Sequence, residues 1–196
     1  MNYRTLFRRR TLGDDLLDAA KGLVAGMAGG LAGTWAMSQT SALVRRVARS
    51  RAGRRGQPGE KVREAPPRPN PSHNGHGQQE DPSVLLAVRV SRKVFGHELS
   101  EKEKKIAGPA VHYGFGAAVG GLYGAVADGW PAAATGSGLP FGAALWAATD
   151  EVALPLLRLS KPPTKIPISQ HASLLGLHLI YGLTTELVRR AVRRWL

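Results

Sequence analysis

The stretch IAGPAVHYGFGAAVGGLYGAVA, residues 106–127, decides the fold. It contains no Asp, Glu, Lys or Arg, and a helix of this length, rising about 1.5 Å per residue, would cross a hydrocarbon core of about 30 Å. Its small residues and one histidine recur at every fourth position, which places them on one ridge of a helix. They are Gly108, His112, Gly116, Gly120 and Gly124. Because glycine lets helix backbones approach closely in lipid, this stretch predicts a tightly packed membrane helix.

Three other stretches have a similar character: residues 22–44, 139–157 and 168–188. The first of them also repeats glycine at every fourth position, at Gly22, Gly26 and Gly30. Each stretch is long enough to cross a bilayer as a helix. Together the four stretches predict an all-α integral membrane bundle of about four transmembrane helices, with the lipid bilayer as its principal partner.

The segments before and after the first of these stretches are basic. Residues 1–21 form a basic N-terminal tail that leads into the start of a helix. Residues 45–82 are rich in Arg, Pro and Gly and almost lack large apolar side chains, which predicts a disordered loop. Residues 106–196 contain three of the predicted membrane helices and end in a second basic tail.

Residues 83–105 combine Leu and Val with Arg and Lys. The segment is too short and too charged to cross a membrane, and it predicts an amphipathic helix at its start. That helix either lies on the membrane surface or packs on its neighbours. Ser100 and Glu103 then have the spacing of a capping box, so a helix is expected to begin near Glu101.

The formal net charge of +13 would indicate a nucleic-acid partner in a soluble protein. Here, however, Lys and Arg flank the apolar stretches, as they do in membrane proteins, and no nucleic-acid partner is expected. The number of basic residues in the loops favours a cytoplasmic location for the 45–105 side, whereas the two basic tails argue for the opposite orientation. The chain contains no cysteine, which excludes disulfides and thiolate chemistry. No phosphate-binding loop, nucleophile elbow or metal motif is present, so neither an enzyme nor a cofactor is expected.

A layer of polar side chains is predicted near one end of the membrane helices. When the chain is threaded through the bilayer, five titratable residues from three stretches reach similar depths: His112, Asp150, Glu151, His171 and His178. Groups of this kind are costly in hydrocarbon and usually face the interior of a bundle. The layer could relay protons or line an ion path, it could bind a metal, or it could hold the helices in register. Glu186 lies near the opposite end, where Arg190, four residues later, predicts a helix-end ion pair.

Three segments resemble the signatures of the YagU-like proteins, an uncharacterised family of bacterial inner-membrane proteins. The segments are GPAVHYGFGAAVGGLYG (108–124), LWAATDEVALPLLRLS (145–160) and HLIYGLTTELVRR (178–190). The glycine-rich first helix and LSEKEK (99–104) also fit, and the resemblance covers most of the chain outside the 45–82 loop. The resemblance implies a multi-pass location in the bacterial inner membrane and a link to tolerance of acidic conditions. It implies no catalytic residues.

We therefore expect an inner-membrane protein that acts in pH or acid-stress homeostasis through a buried His/Asp/Glu layer. The alternative is a structural or scaffolding membrane protein. In that case the glycine-rich helix faces would assemble several copies of the chain into a homo-oligomer.

Overall fold

The computed structural model describes residues 12–55 and 81–196, which form six α-helices and contain no β-strand. The helices are α1 (Leu12–Arg55), α2 (Pro82–Val90), α3 (Glu101–Gly129), α4 (Leu139–Trp146), α5 (Leu154–Leu156) and α6 (Ile168–Arg193). The predicted all-α class is confirmed. Across these two described ranges, none of the helices combines the length and the apolar character that crossing a membrane requires.

Irregular helical turns connect several of these helices. A π-helical segment, Ala147–Ala153, joins α4 to α5, so that the chain is helical from Leu139 to Leu156. A second π-helical segment, Ser91–Phe95, continues α2 and ends at Gly96, which has a φ of 64°. Between α3 and α4 the chain forms 3-10 turns over Pro131–Gly138. The two π-helical segments continue the helices that precede them, whereas the turns over Pro131–Gly138 reverse the chain between α3 and α4.

Helix α1 lies at the centre of the bundle, between α3 and α6. Helix α4 covers the other side of α6, and α2 packs on α3. Because α1 is antiparallel to both of its neighbours, one end of the bundle carries the end of α1 and the starts of α3 and α6. We call this the basic end. The opposite end carries the start of α1 and the ends of α3 and α6.

The interface between α1 and α3 is formed by glycine on both sides. Each added methyl group would collide with the facing backbone: a Cβ at Gly120 would lie 2.6 Å from the Gly26 carbonyl oxygen and 2.7 Å from Gly30 Cα. The facing pairs are Gly22 with Gly124, Gly26 with Gly120, and Gly30 with Gly116. The two backbones are therefore in direct contact along about two helical turns.

Two further interfaces also depend on glycine. On the other face of α1, a Cβ at Gly33 would lie 2.8 Å from the Tyr181 carbonyl oxygen of α6, and Gly29 meets Thr185 in the same way. Between α4 and α6, a Cβ at Gly182 would lie 2.8 Å from the Gly142 nitrogen. Gly108 differs from the rest of its row, because it faces the Val84 side chain of α2. Most glycines of the predicted ridges are thus occupied by contacts within one chain, and assembly of several copies into a homo-oligomer stays a prediction.

Most of the buried interior consists of small side chains. The buried hydrophobic residues are four alanines, two tyrosines and one leucine. Large apolar side chains point outward instead: Trp35 is 58% exposed, Leu122 is 64% exposed and Leu187 is 54% exposed. The helices therefore pack through their small residues and present their large apolar residues to the surroundings.

Two segment boundaries differ from the sequence-based predictions. Residues 45–55, predicted to belong to the disordered loop, continue α1 as helix. Arginine and alanine favour helix, and an existing helix extends without a new nucleation cost, so the basic composition of this segment was a misleading sign. At its other end the predicted loop stops earlier than residue 82, because Asp81 caps α2 and Pro82 is its first residue. Residues 56–80 of the predicted loop and residues 1–11 of the predicted tail lie outside the described residues.

The amphipathic segment follows the second of its two predicted alternatives, because α2 packs on α3. The Arg89 guanidinium donates hydrogen bonds to the carbonyl oxygens of Leu157 and Arg158, at the end of α5. Helix α2 is thereby joined to two neighbouring elements.

The predicted start of α3 at Glu101 is confirmed. The Glu103 backbone N–H donates to the Ser100 hydroxyl, and the Glu103 carboxylate accepts hydrogen bonds from the Ser100 hydroxyl and backbone N–H, both at 2.7 Å. Hydrogen bonds from Ser100, followed by one from His97, lower the pKa of Glu103 to about 2. The cap therefore depends on the ionised form of this carboxylate.

Candidate functional site

Two adjacent carboxylates, Asp150 and Glu151, lie on the π-helical segment between α4 and α5. Segments of this kind are rare and are often found at functional sites. The Thr149 hydroxyl lies 2.8 Å from the Leu145 carbonyl oxygen and 2.9 Å from an Asp150 carboxylate oxygen. Both carboxylates lie against α6, where they meet the two predicted histidines.

Asp150 pairs with His178, which is buried on α6. His178 Nε2 lies 3.4 Å from an Asp150 oxygen, and His178 Nδ1 lies 3.0 Å from the Leu174 carbonyl oxygen. A carbonyl oxygen only accepts, so Nδ1 carries a proton. The Nε2 contact with Asp150 is then favourable only when a second proton lies on the imidazole or on the carboxylate.

Glu151 pairs with His171 in the same manner. His171 Nδ1 lies 2.6 Å from a Glu151 oxygen, and His171 Nε2 lies 3.1 Å from the Pro163 carbonyl oxygen. Here too, both neighbours of the imidazole are acceptors. For both contacts of each imidazole to be favourable, the pair must hold one proton more than a neutral histidine beside an ionised carboxylate carries.

His112, the remaining member of the predicted layer, belongs to neither pair. It is half-buried on α3 and lies edge-on to Tyr113, with ring centroids 6.1 Å apart. It interacts electrostatically with His178, but among the described residues no hydrogen bond links it to either pair. Two of the three helical elements that were predicted to supply the layer thus meet directly, and the third lies beside them.

Trp146 extends the site along α4. Its ring lies edge-on to His171, with centroids 6.4 Å apart. Its indole N–H is buried and has no acceptor within the described part of the chain. In that same part no three His, Asp or Glu side chains lie close enough together to hold a metal ion.

A second polar cluster, at the opposite end of the bundle, surrounds Glu186. This carboxylate is fully buried and accepts hydrogen bonds from the Tyr123 hydroxyl at 2.9 Å, from Arg189 Nε at 2.7 Å and from Arg190 Nε at 2.5 Å. The predicted pair between Glu186 and Arg190 is confirmed. The contributions of Tyr123 and Arg189 were not predicted.

Asp128 links this cluster to the start of α1. Arg189 Nη1 lies 2.6 Å from an Asp128 oxygen, and Arg193 donates both to Asp128 and, at 2.8 Å, to Asp18. The hydrogen bond to Asp128 raises the pKa of Arg193, so its positive charge is retained. The same threading argument that predicted the polar layer could have placed Asp18, Asp128 and these arginines at one end of the bundle. The cluster joins α1, α3 and α6 through ion pairs.

Comparison with known proteins identifies one family. A family model described as "Protein of unknown function (DUF1440)" matches residues 64–187, which is more than half of the chain. Comparisons with curated proteins and with solved structures give no significant match. The matched range includes the paired residues of the π-helical segment and of α6, and it ends just after Glu186.

Proposed function

We propose that this chain, which belongs to the DUF1440 family of unknown function, is an integral protein of the bacterial inner membrane and responds to acidification. In this proposal lipid surrounds the outward apolar side chains. The two histidine–carboxylate pairs bind protons and thereby fasten the π-helical segment to α6.

The main support for a membrane location is that small side chains are buried between the helices and large apolar side chains are exposed, which is the reverse of the arrangement in a water-soluble bundle. A bundle in water gains its stability by burying large apolar side chains. This bundle buries glycine, alanine and threonine between its helices and exposes Trp35, Leu122 and Leu187. In lipid the helices gain nothing by burying leucine, and close backbone contact is favoured instead.

The distribution of charge also supports this location. Residues 22–44 and 106–127 contain no Asp, Glu, Lys or Arg, and the ion pairs of Asp18, Asp128 and Glu186 lie at one end of the bundle. The frequent glycines lower the mean hydropathy of each helix, so the proposal rests on side-chain placement. The resemblance of three segments to YagU-like proteins supports an inner-membrane location and a role in acid tolerance.

The number of protons that the two histidine–carboxylate pairs require supports the response to acid. Histidine changes charge in the mildly acidic range, and each pair here needs an additional proton for both of its contacts to be favourable. Acidification supplies the additional proton to each pair and strengthens the contact between the π-helical segment and α6. As the pH rises and the additional proton is lost, a nitrogen lone pair of the imidazole faces the ionised carboxylate. The contact between the histidine and the carboxylate then weakens.

Fractionation of cells that express the full chain tests the membrane location. We expect the protein to stay in the membrane pellet after washes with high salt and with alkaline carbonate, and to be released by detergent. Release by either wash would refute the location, because bound basic proteins dissociate under these conditions.

The acid response is tested by the double variant Asp150→Asn/Glu151→Gln, which removes both acceptors while keeping side-chain size. Glu98→Gln is the matched control, because Glu98 is exposed and its carboxylate has no partner within the described ranges. We expect the double variant to lose acid tolerance and the pH dependence of amide exchange in residues 168–178, at unchanged abundance in the membrane. Wild-type acid tolerance at normal abundance would refute the role, and loss of the protein from the membrane would indicate that the pairs are purely structural.

A further inference from the structure

We propose that the basic end of the bundle binds the headgroups of anionic phospholipids through a group of exposed cations on the end of α1 and on the turn after α2. These cations are Arg45, Arg46, Arg49, Arg51, Arg92 and Lys93. The inference rests on the proposed membrane location and adds to it a lipid class and an orientation.

The end of α1 reaches beyond the rest of the bundle. In the glycine interface Gly30 faces Gly116 and Gly26 faces Gly120, and the same antiparallel register continued along both helices places Arg45 level with Glu101, the first residue of α3. The residues of α1 after Arg45 therefore extend past α3 by about 15 Å at 1.5 Å per residue. Arg45 and Arg46 lie where the bundle meets the headgroups, and Arg49 and Arg51 lie within about two turns of that level.

The second part of the surface comes from the turn between α2 and α3. Val84 of α2 packs on Gly108 of α3, and the chain then runs back toward the start of α3 at Glu101. Arg92 and Lys93 lie on this returning turn and are exposed. They are therefore at the same end of the bundle as the arginines of α1.

The cations of this surface are available to a ligand. Arg45 donates to the Ser41 hydroxyl, and none of the six cations has a carboxylate partner among the residues that the structure describes. Of three nearby carboxylates, Glu101 pairs with Lys104 at 2.8 Å and Glu103 pairs with His97 at 3.1 Å, and the exposed Glu98 offsets one of the six positive charges. An excess of unpaired positive charge remains.

The opposite end differs, because carboxylates pair with all three arginines of α6 there, and of the described arginines at that end only Arg194, just after the helix, has no carboxylate partner. Arg189 and Arg193 pair with Asp128, and Arg190 pairs with Glu186. Clusters of unpaired Lys and Arg next to a membrane helix attract anionic lipids, and the cytoplasmic leaflet is the anionic one. The contrast between the two ends therefore points the basic end toward the cytoplasm.

The absence of cysteine allows a direct test with single labelled positions. The full-length variants Ala48→Cys, on the end of α1, and Ala191→Cys, at the opposite end, are each labelled with a fluorophore. Both residues are exposed alanines on helices. Each protein is reconstituted into bilayers of zwitterionic lipid that contain a small fraction of quencher-labelled lipid, either anionic phosphatidylglycerol or zwitterionic phosphatidylcholine.

We expect the anionic quencher to be more effective than the zwitterionic one at position 48 and equally effective at position 191. In the Ala48→Cys background, Arg45→Gln, Arg46→Gln and Arg49→Gln together should reduce this preference, by about fivefold for each arginine that reaches the surface at low salt. High salt should reduce it as well.

Equal quenching by both lipids at position 48 would overturn the lipid proposal and leave the membrane location intact. Failure to enter bilayers, seen as no quenching by either lipid, would overturn both. Binding of a labelled oligonucleotide that the three substitutions abolish, without any lipid preference, would assign the surface to nucleic acid and overturn the lipid proposal.

Discussion

Replacement of Gly120 by alanine adds one methyl group to the contact between α1 and α3, and it is the most direct test of the packing. The new Cβ would lie 2.6 Å from the Gly26 carbonyl oxygen, 2.7 Å from Gly30 Cα and 2.9 Å from Gly30 nitrogen. All three are backbone atoms, so no side chain can rotate away. Relief of the collision requires the two helices to separate by about 1 Å, which also opens the neighbouring glycine contacts.

The expected cost follows from overpacking of a closely packed interior, about 1–3 kcal/mol. Alanine also favours helix over glycine by about 1 kcal/mol, which offsets part of this cost. Gly114→Ala in the same helix separates the two contributions, because an added Cβ at Gly114 has no atom within 4 Å. We expect Gly114→Ala to be neutral or stabilising and Gly120→Ala to be destabilised relative to it by about 1–3 kcal/mol.

Equilibrium unfolding of the two variants, purified in the same mild detergent, measures this difference. Both substitutions change glycine to alanine within α3, so their helix propensities cancel in the comparison. Equal stability of the two variants, or greater stability of Gly120→Ala, would refute direct backbone contact between α1 and α3.

Three further predictions concern the two ends of the bundle. Glu186→Ala leaves the Arg189 guanidinium buried with half of its carboxylate partners, so it should reduce the free energy of unfolding by about 3 kcal/mol, measured by denaturant titration; an effect below about 1 kcal/mol would contradict a buried ion network. The pKa of Glu103 is lowered from 4.5 to about 2 by its cap hydrogen bonds, so the cap is fully stabilising above pH 4.5 and is lost as the pH falls toward 2. The protection factors for amide exchange in the first turn of α3, which are corrected for the intrinsic pH dependence of exchange, should fall across that range in the wild type and stay constant in Glu103→Gln. In intact cells a membrane-impermeant maleimide should label Ala191→Cys and spare Ala48→Cys, and the reverse pattern would invert the proposed orientation.

Local rules explain which boundaries and contacts were predictable. The start of α3 depends on Ser100 and Glu103, which are three residues apart, and the pair between Glu186 and Arg190 depends on a spacing of four. Interactions over such short separations are encoded by helix geometry alone. The end of α1 was missed because composition cannot distinguish a loop rich in arginine from the extension of an established helix.

Partner choice within the polar layer depends on tertiary structure. Asp150 and Glu151 are adjacent in the chain, and either could have met either histidine, or His112. The π-helical segment and the position of α6 together bring Asp150 to His178 and Glu151 to His171. The backbone acceptors at Leu174 and Pro163, which determine how many protons each pair holds, are set by the fold as well.

The amino-acid sequence by itself determined the all-α class, the periodic glycine ridges and the positions of the polar residues along their helices, because each follows from the 3.6-residue period and the rise of one helix. Only the tertiary structure decided that the glycine ridge of α1 meets the glycine ridge of α3, and that a second face of α1 meets α6. It also decided that Asp18, Asp128 and Glu186 neutralise the arginines of α6, while Arg45, Arg46, Arg49 and Arg51 of α1 have no carboxylate partner among the described residues. The physical reason is that a helix specifies which faces are suited to contact, whereas the choice of partner depends on how all the helices fill space together.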